Sequence, residues 1–368
     1  FMVGKIKSFS YRLMVFLNCI AIAVMFFLGY AGRFDPVVCP GLTTLTLAFP
    51  IALAVNIAFL SFWVVARLRM VWLPVLGFVV CFFPVRSYSP FNLRSVHPDG
   101  AIKVLSYNVQ GFGFAGGGSP GPEDVTQIIQ YMANSGADIV CLQEAQHWRV
   151  QEELSSTMDP KYPYYQEETK DSSGDVISIF SRYPIVKSEV ISYQSYGNIS
   201  AAYWLNINGQ EVIVVNNHLE SNLLSEADKA GFKGLVKGKL VGERAEGESR
   251  LLFDKLEIAA KKRAPQAVAV HRFIDKWRKR GKSIIVCGDF NDNPLSYVRQ
   301  TIARNLTDCY ISSGNGPGWS YHKSGMFVRI DNLLCTNDWE PYEATVDNKV
   351  AVSDHYPIYC WLKKRVKP

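Results

Sequence analysis

The first 85 residues of this chain are nearly devoid of acidic side chains, with Asp35 as the single carboxylate against six lysines and arginines. Charge of either sign is absent from two long apolar runs, 13–32 and 42–66. A helix of about 20 apolar residues crosses a hydrocarbon core about 30 Å thick. The two runs therefore exclude a wholly soluble protein and predict two transmembrane helices.

A third apolar run, 70–85, is shorter and contains Pro74 and Pro84. We predict that it also spans the membrane, because the preceding loop 67–69 is too short to hold other structure. Residues 1–85 would then form a membrane module with spans at about 13–32, 42–66 and 70–85. The spans contain no charged residue, and this excludes a channel or transporter. Their amides, Asn18 and Asn56, are expected to hydrogen-bond between helices.

Basic residues near the spans are unevenly distributed, and short loops rich in lysine and arginine stay in the cytoplasm. Five of the six basic residues fall in the N-terminal segment and in loop 67–69, namely Lys5, Lys7, Arg12, Arg67 and Arg69. Three crossings then predict a multi-pass protein of the cytoplasmic membrane with everything after residue 85 on the exterior or periplasmic side. If run 70–85 did not span, the same rule would place that part in the cytoplasm.

The chain after residue 85 lacks an excess of positive charge. The whole chain has 39 basic and 33 acidic residues, and six of the basic and one of the acidic residues lie before residue 86. The remaining 33 basic and 32 acidic residues give this part a net charge of only +1. Binding of nucleic acid through bulk positive charge is therefore disfavoured. The chain has no CxxC spacing, so no zinc site is expected. The glycine-rich stretch 111–122 lacks the Gly-Lys-Ser/Thr ending of a phosphate loop, which argues against a role in nucleotide cradling.

The composition of the second part predicts a layered α/β domain over residues 101–368, joined to the membrane module by a polar tether, 86–100. Apolar, β-branched runs typical of strands alternate with segments of helical spacing. The predicted helices are 123–134, 247–262 and 266–280. The predicted strands are 102–107, 138–142, 176–180, 201–207, 212–216, 283–287, 330–335 and 354–362.

Segment 221–263 carries ten basic and seven acidic residues. A helical face exposed to solvent is the simpler interpretation of such a mixture. The alternative is an insert that contacts acidic lipid headgroups or a phosphorylated substrate.

Polar residues repeatedly follow the apolar strands. Asn108, Glu144 and His218 each come directly after such a run, and Asp289 and Asn291 follow the strand 283–287. Each has a plain explanation as a turn former, a cap or a buried histidine. Strand ends at one edge of a layered fold share a cleft, however, so we expect these side chains to converge.

The motifs around these residues resemble those of the endonuclease/exonuclease/phosphatase superfamily, which includes DNase I-like nucleases, abasic-site endonucleases, neutral sphingomyelinases and inositol polyphosphate 5-phosphatases. They are KVLSYNVQG, CLQE, FSRYPI, NNHLES, CGDFND, RIDNLLC and SDHYPI, in the order of the family, over residues 101–362. The resemblance implies a four-layer sandwich of two mainly antiparallel β-sheets flanked by helices. Here three transmembrane helices would precede it.

The expected metal is Mg²⁺, with Mn²⁺ as an alternative, because hydrolysis of a phosphate ester needs a divalent cation and hard oxygen ligands suit these ions. We expect Glu144 to hold it, with Asn108, Asp289 and Asp354 sharing its shell through water.

The resemblance also implies catalytic roles. His218 and Asn291 would orient the scissile phosphate, and His355, held by Asp331, would be the general base or a charged stabiliser of the transition state. Asp289 is the alternative base. Asp175 is the only candidate partner for His218. The remaining histidines belong to no motif and are expected on the surface or in packing, namely His97, His147, His271 and His322.

The sequence therefore predicts a membrane-anchored, Mg²⁺-dependent phosphoesterase that hydrolyses a phosphodiester or phosphomonoester. Its substrate would be a nucleic acid, a phospholipid or an inositol phosphate, and its partner the lipid bilayer, with no obligate protein partner. The alternative is a catalytically inactive relative acting as a membrane-bound binding module. Such a relative would have lost part of the set of site residues, yet all are present, namely Glu144, Asp289, Asn291, Asp331, Asp354 and His355.

Overall fold

The computed structural model describes residues 2–114, 120–146, 148, 150–170, 174–222 and 224–365. Within them, two six-stranded sheets have the orders β11-β12-β1-β2-β4-β3 and β5-β6-β7-β8-β10-β9. The strands of the first sheet are β1 (Ile102–Asn108), β2 (Ile139–Gln143), β3 (Tyr164–Thr169), β4 (Val176–Ser181), β11 (Trp339–Val346) and β12 (Ile358–Lys364). Those of the second are β5 (Ile185–Val190), β6 (Ser200–Ile207), β7 (Gln210–His218), β8 (Ser283–Asp289), β9 (Thr307–Asp308) and β10 (Asp331–Cys335).

Each sheet contains one parallel pair, β1 with β2 and β7 with β8, and the other neighbours are antiparallel. The inner faces of the sheets pack on each other through apolar side chains such as Val104 and Ile179 from the first and Val214 and Ile285 from the second. Helices cover both outer faces. The predicted sandwich of two mainly antiparallel sheets flanked by helices is confirmed.

The helices after the membrane module are α6 (Pro122–Asn134), α7 (Gln151–Met158), α8 (Glu226–Val236), α9 (Gly242–Arg278), α10 (Tyr297–Ile302) and α11 (Cys309–Ser313). The prediction of separate helices 247–262 and 266–280 is wrong, because α9 runs without a break through Pro265. An interior proline costs a helix about 3 kcal/mol. Burial of Ala267, Val270 and Ile274 against the second sheet offsets this cost.

The N-terminal helices are α1 (Met2–Tyr30), α2 (Leu42–Leu45), α3 (Phe49–Ala66), α4 (Trp72–Val80) and α5 (Phe82–Tyr88). Two stretches, Phe9–Arg33 and Leu42–Ala66, are long and apolar enough to cross a membrane. Between them, the Asn18 amide oxygen accepts a hydrogen bond from Trp63, and Asn56 donates to the carbonyl of Ala21. The amides of the two spans therefore join the helices to each other, as predicted.

The third apolar run is broken into two helices. Helices α4 and α5 meet at a bend of 70°, so the module has two helices long and apolar enough to cross a membrane, or three such segments if the bent pair counts as one. Pro84 lacks the N–H that would bond to the carbonyl of Val80 four residues earlier. That carbonyl instead accepts a hydrogen bond of 2.9 Å from the Tyr30 hydroxyl. The bend therefore follows from the proline and is stabilised by the first span.

The membrane module contacts the sandwich directly. A β-carbon on Gly32, after α1, would lie 1.8 Å from the carbonyl oxygen of Leu295, so only glycine fits at this contact. The Asn293 amide donates a hydrogen bond of 2.9 Å to the hydroxyl of Thr46. These contacts place the end of the first span and the start of the second against the loop that follows β8.

The segment predicted as a tether, 86–100, also lies along the sandwich. Arg86 donates to the carbonyl of Ile311, and His97 stacks on Trp361 with ring centroids 3.8 Å apart. The buried guanidinium of Arg329 in turn donates to backbone carbonyls of Ser87 and Tyr88. The segment is therefore tied to the domain by hydrogen bonds at both ends.

Candidate active site

The site forms where the two parallel strand pairs end side by side. Asn108 closes β1, Glu144 follows β2, and register pairs His218 of β7 with Asp289 of β8. The Asn108 amide nitrogen donates to Glu144 Oε1 at 3.0 Å and to Asp289 Oδ2 at 3.1 Å. One side chain thus joins carboxylates from the two sheets, and the predicted convergence of these strand ends is observed.

A glycine makes this approach possible. Gly288 has φ +120°, and a β-carbon there would lie 2.0 Å from the carbonyl oxygen of Asn217 on β7. A side chain is excluded by both the backbone conformation and the space. The glycine of the CGDF motif therefore lets β7 and β8 pair closely at the point where His218 and Asp289 begin the site.

Buried amides join the sheets beneath the site. Gln143 donates to Asn216 Oδ1 at 2.7 Å, and the Asn216 amide donates to the carbonyls of Leu142 and Ser178. Buried polar groups that are paired in this way hold one arrangement, since each broken bond leaves a polar group without a partner. The network fixes the spacing between the first sheet and the second directly below the cleft.

Two histidine–aspartate pairs flank Asp289. His218 Nδ1 lies 2.5 Å from Asp175 Oδ2, and His355 Nδ1 lies 2.8 Å from Asp331 Oδ2. The opposite ring nitrogens, both Nε2, face Asp289 Oδ2 at 3.8 Å and 3.6 Å. Asp175 is thus the partner of His218, and each aspartate orients its imidazole toward the central carboxylate.

Charge in the site follows from these pairs. Burial alone would lower the pKa of His218, but Asp175, followed by Glu144 and Asp289, raises it to about 10. For His355, Asp331 and Asp289 likewise outweigh burial and raise the pKa well above its usual value. Burial raises the pKa of Asp289 to about 6, while His355 acts to lower it. The paired aspartates therefore favour the protonated form of both imidazoles that face Asp289.

Two site residues have left-handed backbone conformations that are uncommon without glycine. Glu144 has φ 51° and Asn291 has φ 53°. The Asn291 N–H donates to Asp289 Oδ1 at 2.7 Å, and its side-chain amide donates to the carbonyl of Leu219. Such conformations persist only where the surroundings impose them. Here they turn both side chains into the cleft.

Glu144 is the carboxylate best suited to a hydrated cation. Its side chain keeps 27% of its surface exposed, whereas Asp289 and Asp331 are almost fully buried. Mg²⁺ keeps several waters and takes one or two direct carboxylates. Asp289, Asp331 and His355 also lie close enough together to share an ion, but Asp331 and His355 already bind each other. The oxygen donors around Glu144 and Asn108 therefore fit a magnesium ion better than that triad.

Several residues that position the site were not predicted. The Ser353 hydroxyl donates to the carbonyl of Asn108 and accepts from the N–H of His355. The Ser320 hydroxyl accepts from the N–H of Asp331, and Gln110 Oε1 accepts from the N–H of Asp354 at 3.1 Å. Ser353 and Gln110 lie inside the motifs and could have been found from them, whereas no motif includes Ser320.

The described histidines outside the motifs, His97, His271 and His322, do not line the catalytic cleft. His97 stacks on Trp361, and His322 stacks on Tyr356 with ring centroids 3.8 Å apart, so both are packing residues as expected. His271 lies on α9. His147 lies outside the described residues, as does part of the glycine-rich stretch 111–122.

Several solved structures are similar to this chain. The catalytic domain of human nocturnin, solved with a bound sulfate anion, is 18% identical with a TM-score of 0.51, and the match covers 75% of this chain and 96% of that one. A humanized D. rerio TDP2 and sphingomyelinase C from Streptomyces griseocarneus are each 16% identical, over 72% of this chain and 99% of theirs, with TM-scores of 0.49 and 0.48. No curated protein matches the chain.

Two protein families match separate parts of the chain. Residues 11–88 match a domain of unknown function, and residues 105–355 match the endonuclease/exonuclease/phosphatase family. The second match covers well over half of the chain and includes every residue predicted for the site. The chain belongs to the endonuclease/exonuclease/phosphatase family and is a metal-dependent hydrolase of phosphate ester bonds.

Proposed function

We propose that this protein is a membrane-anchored, Mg²⁺-dependent phosphoesterase whose site holds one phosphate between two imidazolium groups. The observation that carries the proposal is the placement of His218 and His355 on either side of Asp289, each oriented by its own aspartate. Imidazolium groups placed in this way can stabilise the charge that develops on phosphoryl oxygens during transfer.

In the proposed reaction, the oxygen of a water molecule bonds to phosphorus while the ester P–O bond on the opposite side breaks. Asp289 accepts the proton of the water, and the leaving alkoxide takes a proton from solvent. Asp289 suits this role because its carboxylate lies at the centre of the site, whereas Nδ1 of His355 is bound to Asp331, which raises the pKa of that imidazole well above its usual value. His218 and His355 balance the negative charge of the phosphoryl group, and Asn291 orients it.

The metal site of the proposal consists of Glu144 with Asn108, Asp289 and Asp354 around it. When bound, Mg²⁺ would neutralise phosphate charge and lower the pKa of an attacking water. The side-chain amide of Asn108 donates hydrogen bonds to the carboxylates of both Glu144 and Asp289, and these bonds offset part of the repulsion between the two.

The proposed anchoring is supported by the arrangement of the apolar helices. Arg67 lies over the ring of Tyr11, so the loop after α3 and the early part of α1 share one end of the module. Gly32 and Thr46, at the other end, contact the sandwich. Basic residues thus gather at the end remote from the catalytic domain, a pattern that favours an exterior or periplasmic domain.

The full chain in detergent, assayed with bis(4-nitrophenyl) phosphate during a magnesium titration, tests the proposal. We expect hydrolysis that stops with a chelator and returns with Mg²⁺. Glu144→Gln should require much more magnesium because it removes a ligand charge at constant size, whereas His271→Ala, outside the site, should behave like the parent. Activity that survives the chelator would exclude metal dependence, and a chain inactive on every phosphate ester would favour the inactive binding module.

A further inference from the structure

The catalytic cleft continues into a larger cavity of about 610 Å³. Glu144, Asp289 and His355 line one end of it. This volume lies within the range of about 300–1,000 Å³ typical of sites for a single small molecule. The cavity therefore has room for a small molecule larger than the phosphate group alone.

The far part of the cavity is apolar and is built by the charged segment 221–263. Phe232 of α8 and Leu252, Leu256 and Ala260 of α9 line it. About half of the charged residues of this segment are exposed to solvent. The segment therefore contributes an apolar wall to the cavity. The sequence had indicated a role only for its charges, as a solvent-exposed face or as a contact for headgroups or a phosphorylated substrate.

The opposite wall belongs to the membrane module. Thr43, Thr44, Leu47 and Pro50, all within the second span, line the same cavity. The module and α9 also touch beside it, because a β-carbon on Gly41 would lie 3.1 Å from the ring of Phe253. The start of the second predicted span is therefore part of the cavity wall.

Two exposed aromatic side chains stand at the rim of the cavity. Trp319 and Phe327 are 44% and 54% exposed, and their ring centroids lie 5.4 Å apart. Tryptophan is favoured at the boundary between hydrocarbon and water. Their place in the lining, together with Leu47 and Pro50, puts them where a hydrocarbon chain would enter.

The few basic side chains that line the cavity suit a ligand with one phosphate rather than a nucleic acid with many. Among its described lining residues, the basic side chains outside the catalytic pair are Lys229 and Arg263. Arg263 already donates to Asn222 and contacts Asp292 at 3.4 Å. A nucleic-acid groove instead neutralises several phosphates in a row.

We propose that the substrate is a membrane lipid with a phosphate ester headgroup, whose hydrocarbon chain lies in the apolar cavity between helices α8–α9 and the membrane module. The proposal rests on the phosphoesterase activity proposed above and names its substrate class. The membrane module would then be part of the active site as well as an anchor. Transfer of the chain from bilayer to cavity exchanges one apolar environment for another, so it costs little free energy.

Photo-crosslinking in vesicles tests the location of the chain without relying on activity. The full chain is reconstituted in phosphatidylcholine and phosphatidylglycerol vesicles in which one acyl chain ends in a diazirine. We expect labelled peptides from α9 around Leu252 and Leu256 and from the loop containing Met326. Leu256→Trp, which fills the cavity, should reduce this label, whereas Ile258→Trp on the exposed face of α9 should not. Labels confined to α1–α5 would overturn the proposal.

A comparison of substrates tests its consequence. With glycerophospholipids of one headgroup, Leu256→Trp should lower the ratio of kcat/KM for long-chain over short-chain substrate by about tenfold, or about 1.4 kcal/mol. Leu47→Trp, from the opposite wall, should do the same if Leu256→Trp folds poorly, and Ile51→Trp on the exposed face of α3 is its control. If the protein hydrolyses bis(4-nitrophenyl) phosphate but shows neither cavity labelling nor a chain-length effect, the lipid inference is refuted and the proposed phosphoesterase function stands. No hydrolysis of any ester would refute the proposed function.

Discussion

Asp331 and His355 are expected to act as one unit, because the carboxylate 2.8 Å from Nδ1 both orients the ring and stabilises its charge. His355→Ala should lower kcat by about 10²–10⁴-fold, the usual range for a group that handles protons or charge. Asp331→Asn should lose a comparable part, and the double variant should cost little more than either single one.

Kinetics on bis(4-nitrophenyl) phosphate, with kcat and KM determined separately for all three variants, measure this coupling. KM should change far less than kcat, since the pair acts on the transition state. Losses that multiply in the double variant, or that appear mainly in KM, would show that Asp331 does not orient His355.

The sequence indicated the site residues through their position after apolar strands, and it offered Asp175 as the one candidate partner of His218 without deciding the pairing. It could not show that His218 and His355 face the same oxygen of Asp289, because that distance depends on how two sheets stack. The left-handed backbone at Glu144 was equally hidden. A positive φ at a residue other than glycine is imposed by tertiary contacts and leaves no mark in composition.

Gly288 is the residue on which the pairing of β7 and β8 depends most. Gly288→Ala should destabilise the fold by about 2–4 kcal/mol and remove most activity, since the new β-carbon would overlap the carbonyl of Asn217. Gly209→Ala is the matched control, because its φ is also positive, +84°, but nothing lies within 4 Å. That variant should cost about 1 kcal/mol.

Urea unfolding followed by tryptophan fluorescence, with activity measured in parallel, distinguishes the two glycines. Equal losses of stability would mean that backbone conformation alone matters at Gly288. In that case the close approach of the strands would not determine the position of His218 and Asp289.

At the scale of elements, buried strands were predictable and edge strands were not. β8 is buried along its whole length and reads as a continuous apolar run. By contrast, β3 and β5 are largely exposed, and the sequences YYQEET and IVKSEV lack a regular alternation. The break expected at Pro265 failed for a related reason, since packing of α9 on the sheet outweighs a local preference.

At the scale of the whole molecule, the sequence predicted an anchor, a tether and a domain, and the structure adds direct contacts between them. Gly32, Thr46 and the carbonyls of Ser87 and Tyr88 all contact the sandwich. These contacts pair residues far apart in the chain with no pattern that composition could reveal. The segment 86–100 looked like a tether because it is polar, yet its polar groups are used in hydrogen bonds to the domain.

Arg329 makes the dependence of the domain on this segment measurable. Its side chain is buried, and burial lowers its pKa to about 10. The buried guanidinium is stabilised by hydrogen bonds that it donates to the backbone carbonyls of Ser87, Tyr88 and Pro317. A chain beginning at His97 lacks the first two of these acceptors, while a chain beginning at Arg86 keeps them. The shorter chain should be less stable by about 3 kcal/mol, the order of cost for a buried charge that loses hydrogen-bond partners.

Urea unfolding of the two shortened chains gives this difference directly, and Arg329→Met in both provides the control. Because methionine needs no acceptor, the substitution should remove most of the gap between the chains that begin at Arg86 and His97. A gap that persists in the Arg329→Met pair would assign the stabilisation to other contacts, such as those of Arg86 with Ile311. Equal stability of the two parent chains would instead mean that residues 86–96 serve only as a tether.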